Sequence, residues 1–105
     1  MRFGLKETLL NEIISALKEN TKIKKAVIFG SRARGDFKAA SDVDIAVFAD
    51  SNLTSEELNI IRDRIDEIDC IYKFDIVDAN GQDKKAMLEN IANEGVVLFS
   101  LAQNN

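Results

Sequence analysis

The fold of this chain is decided by residues 25–48, KAVIFGSRARGDFKAASDVDIAVF. The two ends of this stretch, residues 25–30 and 43–48, are short apolar runs that are rich in strand-forming residues and too short for helices. We interpret both runs as buried strands. The segment between them is polar, basic and contains glycine, so a loop with a short helical turn is expected to join the strands.

Amphipathic helices and further strands are predicted on both sides of this stretch. Between Phe3 and Leu17 apolar residues recur at three- and four-residue steps, which predicts a helix. Thr54 and Glu57 have the spacing of a capping box, so a second helix should begin near Ser55. The remaining predicted elements are a strand at 72–77, a helix at 82–93 and a strand at 96–99. This order predicts an α/β (α+β) fold, with a mixed sheet of about four strands and helices packed on it.

Length and composition predict a single soluble domain over residues 1–105. The chain has 105 residues, a formal net charge of −4, 46% hydrophobic residues and 30% charged residues, which is ordinary for a globular protein. A chain of this length should bury between roughly 60 and 70% of its unfolded surface. No apolar run approaches the roughly 18 residues of a membrane span, and the single thiol of Cys70 fits a reducing compartment. A cytoplasmic location without membrane attachment is therefore expected.

The residue types that the chain lacks exclude several catalytic mechanisms. The sequence contains no histidine and only one cysteine. It therefore has no Ser-His-Asp or Cys-His nucleophilic site and no cysteine-rich zinc site. Any catalysis must depend on carboxylates, hydroxyls, lysines, arginines or a metal ion held by oxygen.

The first candidate site is the turn that follows the first predicted strand. Gly30 and Ser31 end this strand, and Arg32 and Arg34 follow within the turn. A strand that turns through glycine into a helix presents free backbone N–H groups, which favour an anion. The Ser31 hydroxyl and the two guanidinium groups would add donors, so these four residues are candidates for phosphate binding. The alternative is a tight turn with solvated arginines, because the spacing is neither that of a P-loop nor that of a dinucleotide site.

Two carboxylates lie at the start of the second predicted strand. Asp42 and Asp44 are separated by one residue, so in an extended strand they point to the same face. Adjacent carboxylates repel each other unless a cation lies between them. Oxygen ligands without histidine or thiolate favour Mg²⁺ or Mn²⁺ over zinc. We interpret the pair as a metal site, and the alternative is a strand whose polar face is in water.

A third carboxylate lies in the apolar run that forms the next predicted strand. An acid within such a run is better explained by a function than by strand propensity, and Asp75 could project toward the same metal ions. Asp78 is three residues further on and should face the opposite side of the strand, as a turn or cap residue. The choice between Asp75 and Asp78 depends on the strand register.

Basic residues are concentrated around the glycine turn in the sequence. Between Lys22 and Lys38 there are six basic residues and one acid, Asp36. This concentration predicts a local positive potential around the anion site of an otherwise acidic chain. For the lysines, a solvated surface is the commoner explanation.

These motifs together resemble the nucleotidyltransferase fold of the DNA polymerase beta superfamily. The resemblance is carried by residues 30–35 (GSRARG), by residues 41–44 (SDVD) and by a single aspartate in a later strand. More narrowly, the chain is similar to the minimal nucleotidyltransferases (MNT), small antitoxin-like chains that are often partnered by a HEPN-domain protein. The resemblance extends over nearly the whole chain, from the first helix to the last strand.

The resemblance implies a role for each matching residue. Gly30 and Ser31 would bind the β- and γ-phosphates of ATP or another nucleoside triphosphate, and Arg32 or Arg34 could stabilise charge on the transferring phosphate. The implied ligands of two Mg²⁺ ions, for which Mn²⁺ is an alternative, are Asp42, Asp44 and Asp75. Asp75 would in addition help to deprotonate the attacking hydroxyl.

The implied reaction is transfer of a nucleoside monophosphate, AMP from ATP, to a hydroxyl group of a partner protein. In the minimal subgroup this activity would serve an antitoxin that modifies a HEPN-domain toxin. Larger members of the superfamily have an added helical domain, so the site of this chain is expected to be half-open and to be completed by a partner or by a macromolecular acceptor. Direct nucleic-acid binding is not expected, and self-association is left open.

Two alternatives to an enzyme remain at this point. The first is a binding module that keeps the fold and neutralises or regulates its partner by surface contact, with weak or absent catalysis. The second is an α/β regulatory domain in which the Asp-x-Asp motif is incidental.

Overall fold

The chain forms a four-stranded mixed sheet with helices on both faces. The computed structural model describes residues 1–81 and 84–101. The elements are α1 (Glu7–Lys18), β1 (Ile23–Phe29), α2 (Ser31–Arg34), β2 (Val43–Ala49), α3 (Ser55–Asp66), β3 (Phe74–Asp78), a short 3-10 turn (Ala79–Gly81), α4 (Lys85–Glu94) and β4 (Val96–Ser100). The predicted α/β fold is confirmed.

The strand order β3-β2-β1-β4 determines which strand ends meet. β1 pairs antiparallel with both β2 and β4, whereas β2 and β3 are parallel. The parallel pair needs a crossover connection, which α3 supplies. As a result, the carboxyl end of β1 lies beside the amino ends of β2 and β3.

The larger core lies between the sheet and helices α1 and α3. Its fully buried side chains include Leu10, Ile13, Leu17, Ile45, Val47 and Ile65. The other face of the sheet carries a smaller apolar cluster against α4, made of Val27, Phe29, Ala46, Val77, Ala79 and Ile91. Because strand side chains alternate between faces, each strand contributes to both clusters. The α4 face is the more thinly covered of the two.

The first residues of α1, β1 and β3 differ from the sequence-based expectations. Helix α1 begins at Glu7 rather than at residue 3, because Phe3 and Gly4 have φ angles of 60° and 71° and form a turn instead. β1 begins at Ile23, two residues earlier than predicted, and β3 begins at Phe74, two residues later. These shifts do not move any of the candidate site residues to another element.

The predicted capping box at the start of α3 is present. The Thr54 hydroxyl accepts a hydrogen bond from the Glu57 N–H, and the Glu57 carboxylate accepts one from the Thr54 N–H. The predicted start of the last helix, Gln82, lies outside the described residues. In the part of the chain that the structure describes, no helix combines the length and apolarity needed to cross a bilayer.

Candidate active site

The sheet register brings two predicted metal ligands side by side. Asp44 of β2 is paired with Phe29 of β1 on one side and with Asp75 of β3 on the other. Residues paired directly across neighbouring strands project to the same face of the sheet. The same face continues along the strands with Ala46 and Val77, which belong to the cluster under α4. Asp44 and Asp75 therefore lie next to each other at the end of this face.

The three acids affect one another electrostatically at Asp44. Asp42 and Asp75 are exposed, whereas Asp44 is partly buried. Burial raises the pKa of Asp44, and the negative charges of Asp75 and Asp42 raise it further. The positive charge of Arg34 acts in the opposite direction. A cation bound among the carboxylates would offset both the cost of burying the Asp44 charge and the repulsion among the three acids.

Gly30 lies directly against the Asp44 carboxylate. Its φ of 75° is in the left-handed region that glycine adopts without strain. A Cβ atom at this position would overlap the Asp44 carboxylate. Glycine is therefore required at position 30 both for the turn and for the close approach to Asp44.

The Gly-Ser turn leads directly into the single helical turn of α2. The carbonyl of Gly30 accepts hydrogen bonds from the N–H groups of Ala33 and Arg34, at 3.1 and 3.0 Å. Ser31 is partly exposed, and its carbonyl accepts a 2.9 Å hydrogen bond from Gly35, which ends α2 with a φ of 92°. The predicted phosphate-binding turn thus lies at the same end of the sheet as the carboxylates.

Arg32 does not occupy the position predicted for it, because its side chain is only 2% exposed. Its guanidinium donates to three main-chain carbonyls. Nε and Nη2 donate to Ser41 at 3.1 and 3.0 Å, Nη1 donates to Phe3 at 2.8 Å, and Nη2 also donates to Ala39 at 3.2 Å. This charge is in the interior and its donors are occupied by the backbone.

Aromatic rings complete the enclosure of Arg32. The guanidinium carbon lies 4.9 Å from the centre of the Phe37 ring and 4.7 Å from the centre of the Tyr72 ring. Such a site favours a cation through the ring electrons. We therefore correct the prediction that Arg32 binds phosphate: its side chain instead connects α2 to Ser41, the residue before Asp42.

Arg34, two residues further along, lies on the surface beside the carboxylates. Its Nη1 donates to Glu94 at 2.7 Å and its Nε donates to Asp36 at 3.2 Å. Both interactions raise the pKa of Arg34, that with Glu94 more strongly. Among the described residues no hydrogen bond from Nη2 is found, so this group is available to a ligand. Of the two arginines predicted to bind phosphate, Arg34 is the one whose side chain is exposed.

The lysines before the glycine turn do not surround the site. Lys25 is paired with Phe48 in the sheet register and lies over its ring, at the opposite end of β1 from the Phe29–Asp44 pair. At about 3.3 Å per residue, the four-residue separation corresponds to roughly 13 Å. Lys22 and Lys24 lie at the same far end, where they form ion pairs with acids of that surface. The prediction that these lysines concentrate positive charge at the anion site is wrong.

The register also separates Asp75 from Asp78. Asp78 is paired with Val47, whose side chain is in the larger core on the opposite face of the sheet from Asp44. The Asp78 carboxylate accepts a 3.0 Å hydrogen bond from the Asn80 N–H. Asp78 is thus a turn residue, as its spacing predicted, and Asp75 is the carboxylate that faces Asp44.

The donor set suits a hard divalent cation. The three acids offer only carboxylate oxygens, which is the ligand chemistry of Mg²⁺ and Mn²⁺. Within residues 1–81 and 84–101, no three acidic, histidine or cysteine side chains are already gathered into a metal-binding cluster. Because like charges repel, the carboxylates would approach one another closely only around a positive charge.

Glu94 is a residue of this region that the sequence motifs did not reveal. It is the last residue of α4, and its carboxylate reaches Arg34 across 60 residues of sequence. Its sequence signal is its position before Gly95, because glycine commonly follows the end of a helix. Such a signal marks a boundary and does not show which side chains lie nearby.

Two clefts in the described part of the molecule lie away from the carboxylates. One cleft of about 400 Å³ lies between α4 and the far parts of β1, β2 and β4, and is lined by Val27, Phe48, Leu88 and Val97 among others. Another, of about 340 Å³, lies between the N-terminal part of the chain and residues 69–72. Neither cleft is lined by Gly30, Asp44 or Asp75.

Comparison with known proteins identifies the family that shares this arrangement. The family described as "Polymerase beta, Nucleotidyltransferase" matches residues 11–104. The chain belongs to this nucleotidyltransferase family. The family assignment made from residues 30–35, residues 41–44 and a single aspartate in a later strand is confirmed.

Two curated relatives from Methanocaldococcus jannaschii are similar over shorter segments. "Putative protein adenylyltransferase MJ0604" is 44% identical over 46 residues, which are 42% of this chain and 46% of the relative. "Putative protein adenylyltransferase MJ1215" is 61% identical over 31 residues, 30% of this chain and 36% of the relative. The chain therefore matches less than half the length of either relative.

Solved structures share the fold over nearly the whole chain. One chain in a crystal structure of a toxin-antitoxin complex with AMP-PNP superposes on this chain with a TM-score of 0.73 and 26% sequence identity. The superposition covers 90% of this chain and 75% of the other chain. A tri-AMPylated Shewanella oneidensis HEPN toxin in complex with an MNT antitoxin gives a TM-score of 0.70 at 21% identity, over 91% of this chain and 73% of that one. The predicted nucleotidyltransferase fold is confirmed.

Proposed function

We propose that this nucleotidyltransferase uses Mg²⁺, with Mn²⁺ as an alternative, to transfer AMP from ATP to a hydroxyl group on a partner protein. The observation that carries the proposal is the direct pairing of Asp44 with Asp75, beside a Gly30 that has no room for a side chain. The names of the two curated relatives and the AMP-PNP in a similar complex support the adenylyl group.

In this proposal each part of the sheet end has its own role. Asp42, Asp44 and Asp75 hold two divalent ions, and Gly30 and Ser31 bind the β- and γ-phosphates through backbone N–H groups and the hydroxyl. The Arg34 guanidinium, through its available Nη2, contacts the phosphates. When bound, the metal ions lower the pKa of the acceptor hydroxyl and neutralise charge on the leaving pyrophosphate.

The proposed transfer conserves atoms and charge in a single displacement. The acceptor hydroxyl oxygen bonds to the α-phosphorus of ATP while the bond from that phosphorus to the α,β-bridging oxygen breaks, and pyrophosphate leaves. The hydroxyl proton passes to the Asp75 carboxylate, which is exposed and can release it to water. The products are the AMP-ester of the acceptor and pyrophosphate.

The position of the two described clefts, away from the carboxylates, favours a macromolecular acceptor. Small-molecule sites are usually clefts that enclose most of their ligand, whereas the clefts of about 400 and 340 Å³ lie elsewhere on this molecule. A protein acceptor would itself cover the site. We propose a HEPN-domain toxin as that acceptor, with this chain as its antitoxin, because one similar structure is an AMPylated HEPN toxin in complex with an MNT antitoxin.

The test is transfer of labelled AMP from ATP to a co-expressed HEPN-domain protein in the presence of Mg²⁺. The double variant Asp42→Asn, Asp44→Asn should abolish transfer, with a loss of at least about a hundredfold. Asp75→Asn should do the same. Asp78→Asn is the matched control, since Asp78 is on the opposite face and should retain activity.

The same experiment decides between an enzyme and a binding module. Transfer that is unchanged in the double variant would overturn the assignment of the carboxylates. Neutralisation of the toxin by the double variant, without any transfer, would instead identify the chain as a module that acts by contact.

A further inference from the structure

We propose that Glu94 is a positioning residue that holds the Arg34 guanidinium beside the three aspartates and prevents it from pairing with them. This inference rests on the proposed function, since it assumes that the aspartates receive metal ions. It assigns a role to the end of α4, which contributes none of the predicted motif residues.

Arg34 lies at the same end of the sheet as the carboxylates. It lies on α2, which follows immediately after the Gly30 that contacts Asp44. A long, flexible guanidinium side chain at this end of the sheet can form bidentate pairs with free carboxylates.

Two acids hold Arg34 in another direction, and Glu94 is the better placed of them. The Glu94 side chain is 20% exposed and accepts a hydrogen bond at 2.7 Å, whereas the Asp36 side chain is 64% exposed and is 3.2 Å away. Enclosure reduces solvent screening, so the pair with Glu94 is the stronger of the two.

The backbone around Glu94 is fixed by close packing. The N–H of Gly95 donates to the carbonyl of Ile91 at 3.0 Å, and a Cβ atom at position 95 would overlap both this carbonyl and the Val27 side chain. One residue later, Val96 is paired with Ile28 in the sheet. The end of α4 is therefore packed against β1, and Glu94 is presented at the end of the sheet where β1 terminates.

The arrangement separates two charges that would otherwise neutralise each other. With Arg34 paired to Glu94, the carboxylates of Asp42, Asp44 and Asp75 stay open to metal ions. The unengaged Nη2 of Arg34 stays open to a phosphate. Without the Glu94 charge, Arg34 would turn to the aspartates and compete directly with the cation.

The test measures binding of Mn²⁺ alone to the full chain, from the electron paramagnetic resonance signal of the free ion. Glu94→Gln should weaken Mn²⁺ binding about tenfold. Arg34→Met should bind Mn²⁺ at least as tightly as the unmodified chain, and adding Glu94→Gln to it should change the affinity by less than about twofold. Asp36→Asn should have a smaller effect than Glu94→Gln, because its pair is more exposed.

Glu89→Gln on the same helix is the matched control, because Glu89 is exposed and forms no ion pair among the described residues. It should leave Mn²⁺ binding unchanged. An equal loss from Glu94→Gln with and without Arg34 would overturn the inference, as would no loss in the single variant. Failure of the unmodified chain to bind Mn²⁺ would contradict both this inference and the proposed metal-dependent activity, whereas binding that is insensitive to Glu94 would contradict this inference only.

Discussion

Arg32 and Arg34 are two residues apart in the sequence and have opposite environments. Arg32 is 2% exposed, is enclosed by two aromatic rings and donates to three main-chain carbonyls. Arg34 has a side chain that is 44% exposed and is held by two carboxylates. A single helical turn thus directs one arginine into the protein and the other toward the candidate ligand, so the same residue type has a structural role in one case and a proposed catalytic role in the other.

The largest effect is expected at the buried arginine. Arg32→Met would leave the carbonyls of Ser41, Phe3 and Ala39 without their donor, and unsatisfied buried acceptors are costly. The free energy of unfolding should fall by at least about 3 kcal/mol, as measured by urea denaturation. Arg32→Lys should also be destabilising, because an ammonium group cannot reproduce the forked geometry. An unchanged urea midpoint in both variants would show that this arginine does not support the fold.

The exposed arginine should show the reverse behaviour. Arg34→Met should leave the urea midpoint close to that of the unmodified chain, since exposed ion pairs contribute little to stability. AMP transfer should fall by about tenfold to a hundredfold, because a donor to the phosphates is lost. Arg64→Met is the matched control: Arg64 has a side chain that is 42% exposed and pairs with Glu19, away from the carboxylates. Equal losses of transfer in the two variants would refute a specific role for Arg34.

The two glycines at the ends of α2, Gly30 and Gly35, allow the effect of backbone strain to be distinguished from the effect of contact with the site. Gly30 and Gly35 both have positive φ angles, 75° and 92°, but a Cβ atom would overlap Asp44 only at position 30. Gly30→Ala and Gly35→Ala should each lower stability by about 1–2 kcal/mol through strain. Only Gly30→Ala should also reduce Mn²⁺ binding and AMP transfer. If both variants transfer AMP at the same rate, the close approach of Gly30 to Asp44 is not needed for the reaction.

The smallest effect is expected from the charge of Asp44 in the metal-free protein. Because the pKa of Asp44 is raised in the folded state, its ionised form opposes folding. Protonated Asp44 makes its full contribution to the free energy of unfolding at pH values below the pKa that Asp44 has in the unfolded chain. This contribution is lost as the pH rises through the higher pKa that Asp44 has in the folded protein. Asp44→Asn should therefore raise the free energy of unfolding at pH 7 in the presence of a chelator. This gain should disappear at about pH 3, where the carboxyl group is protonated. A less stable variant at pH 7 would contradict the sign of this effect.

Much of the fold could be predicted because it depends on local patterns. The capping box of Thr54 and Glu57, the helical period of α1 and the apolar runs of β1 and β2 determine local structure directly. The start of α1 could not be predicted in this way. Phe3 is apolar and continues the helical pattern, but the left-handed backbone at Phe3 and Gly4 leads to a turn.

The candidate site was only partly predictable for the same reason. The spacing of Asp42 and Asp44, and the opposite facing of Asp75 and Asp78, follow from the two-residue period of a strand. The number of basic residues near the glycine turn predicted a positive potential at the anion site. This prediction was wrong for the lysines near Lys25, because they are close to the turn in sequence but lie at the other end of β1. Strand direction determines such distances, and composition contains no information about it.

By itself, then, the sequence determined the types of elements, the chemistry of the donor set and the family to which the chain belongs. The tertiary structure alone decided that Asp75 is paired with Asp44, that Arg32 is enclosed and that Glu94 reaches Arg34. The physical reason is that strand and helix periods act over a few residues, whereas these contacts join segments up to 60 residues apart. Such contacts depend on how the strands are ordered and on how closely the end of α4 packs against β1.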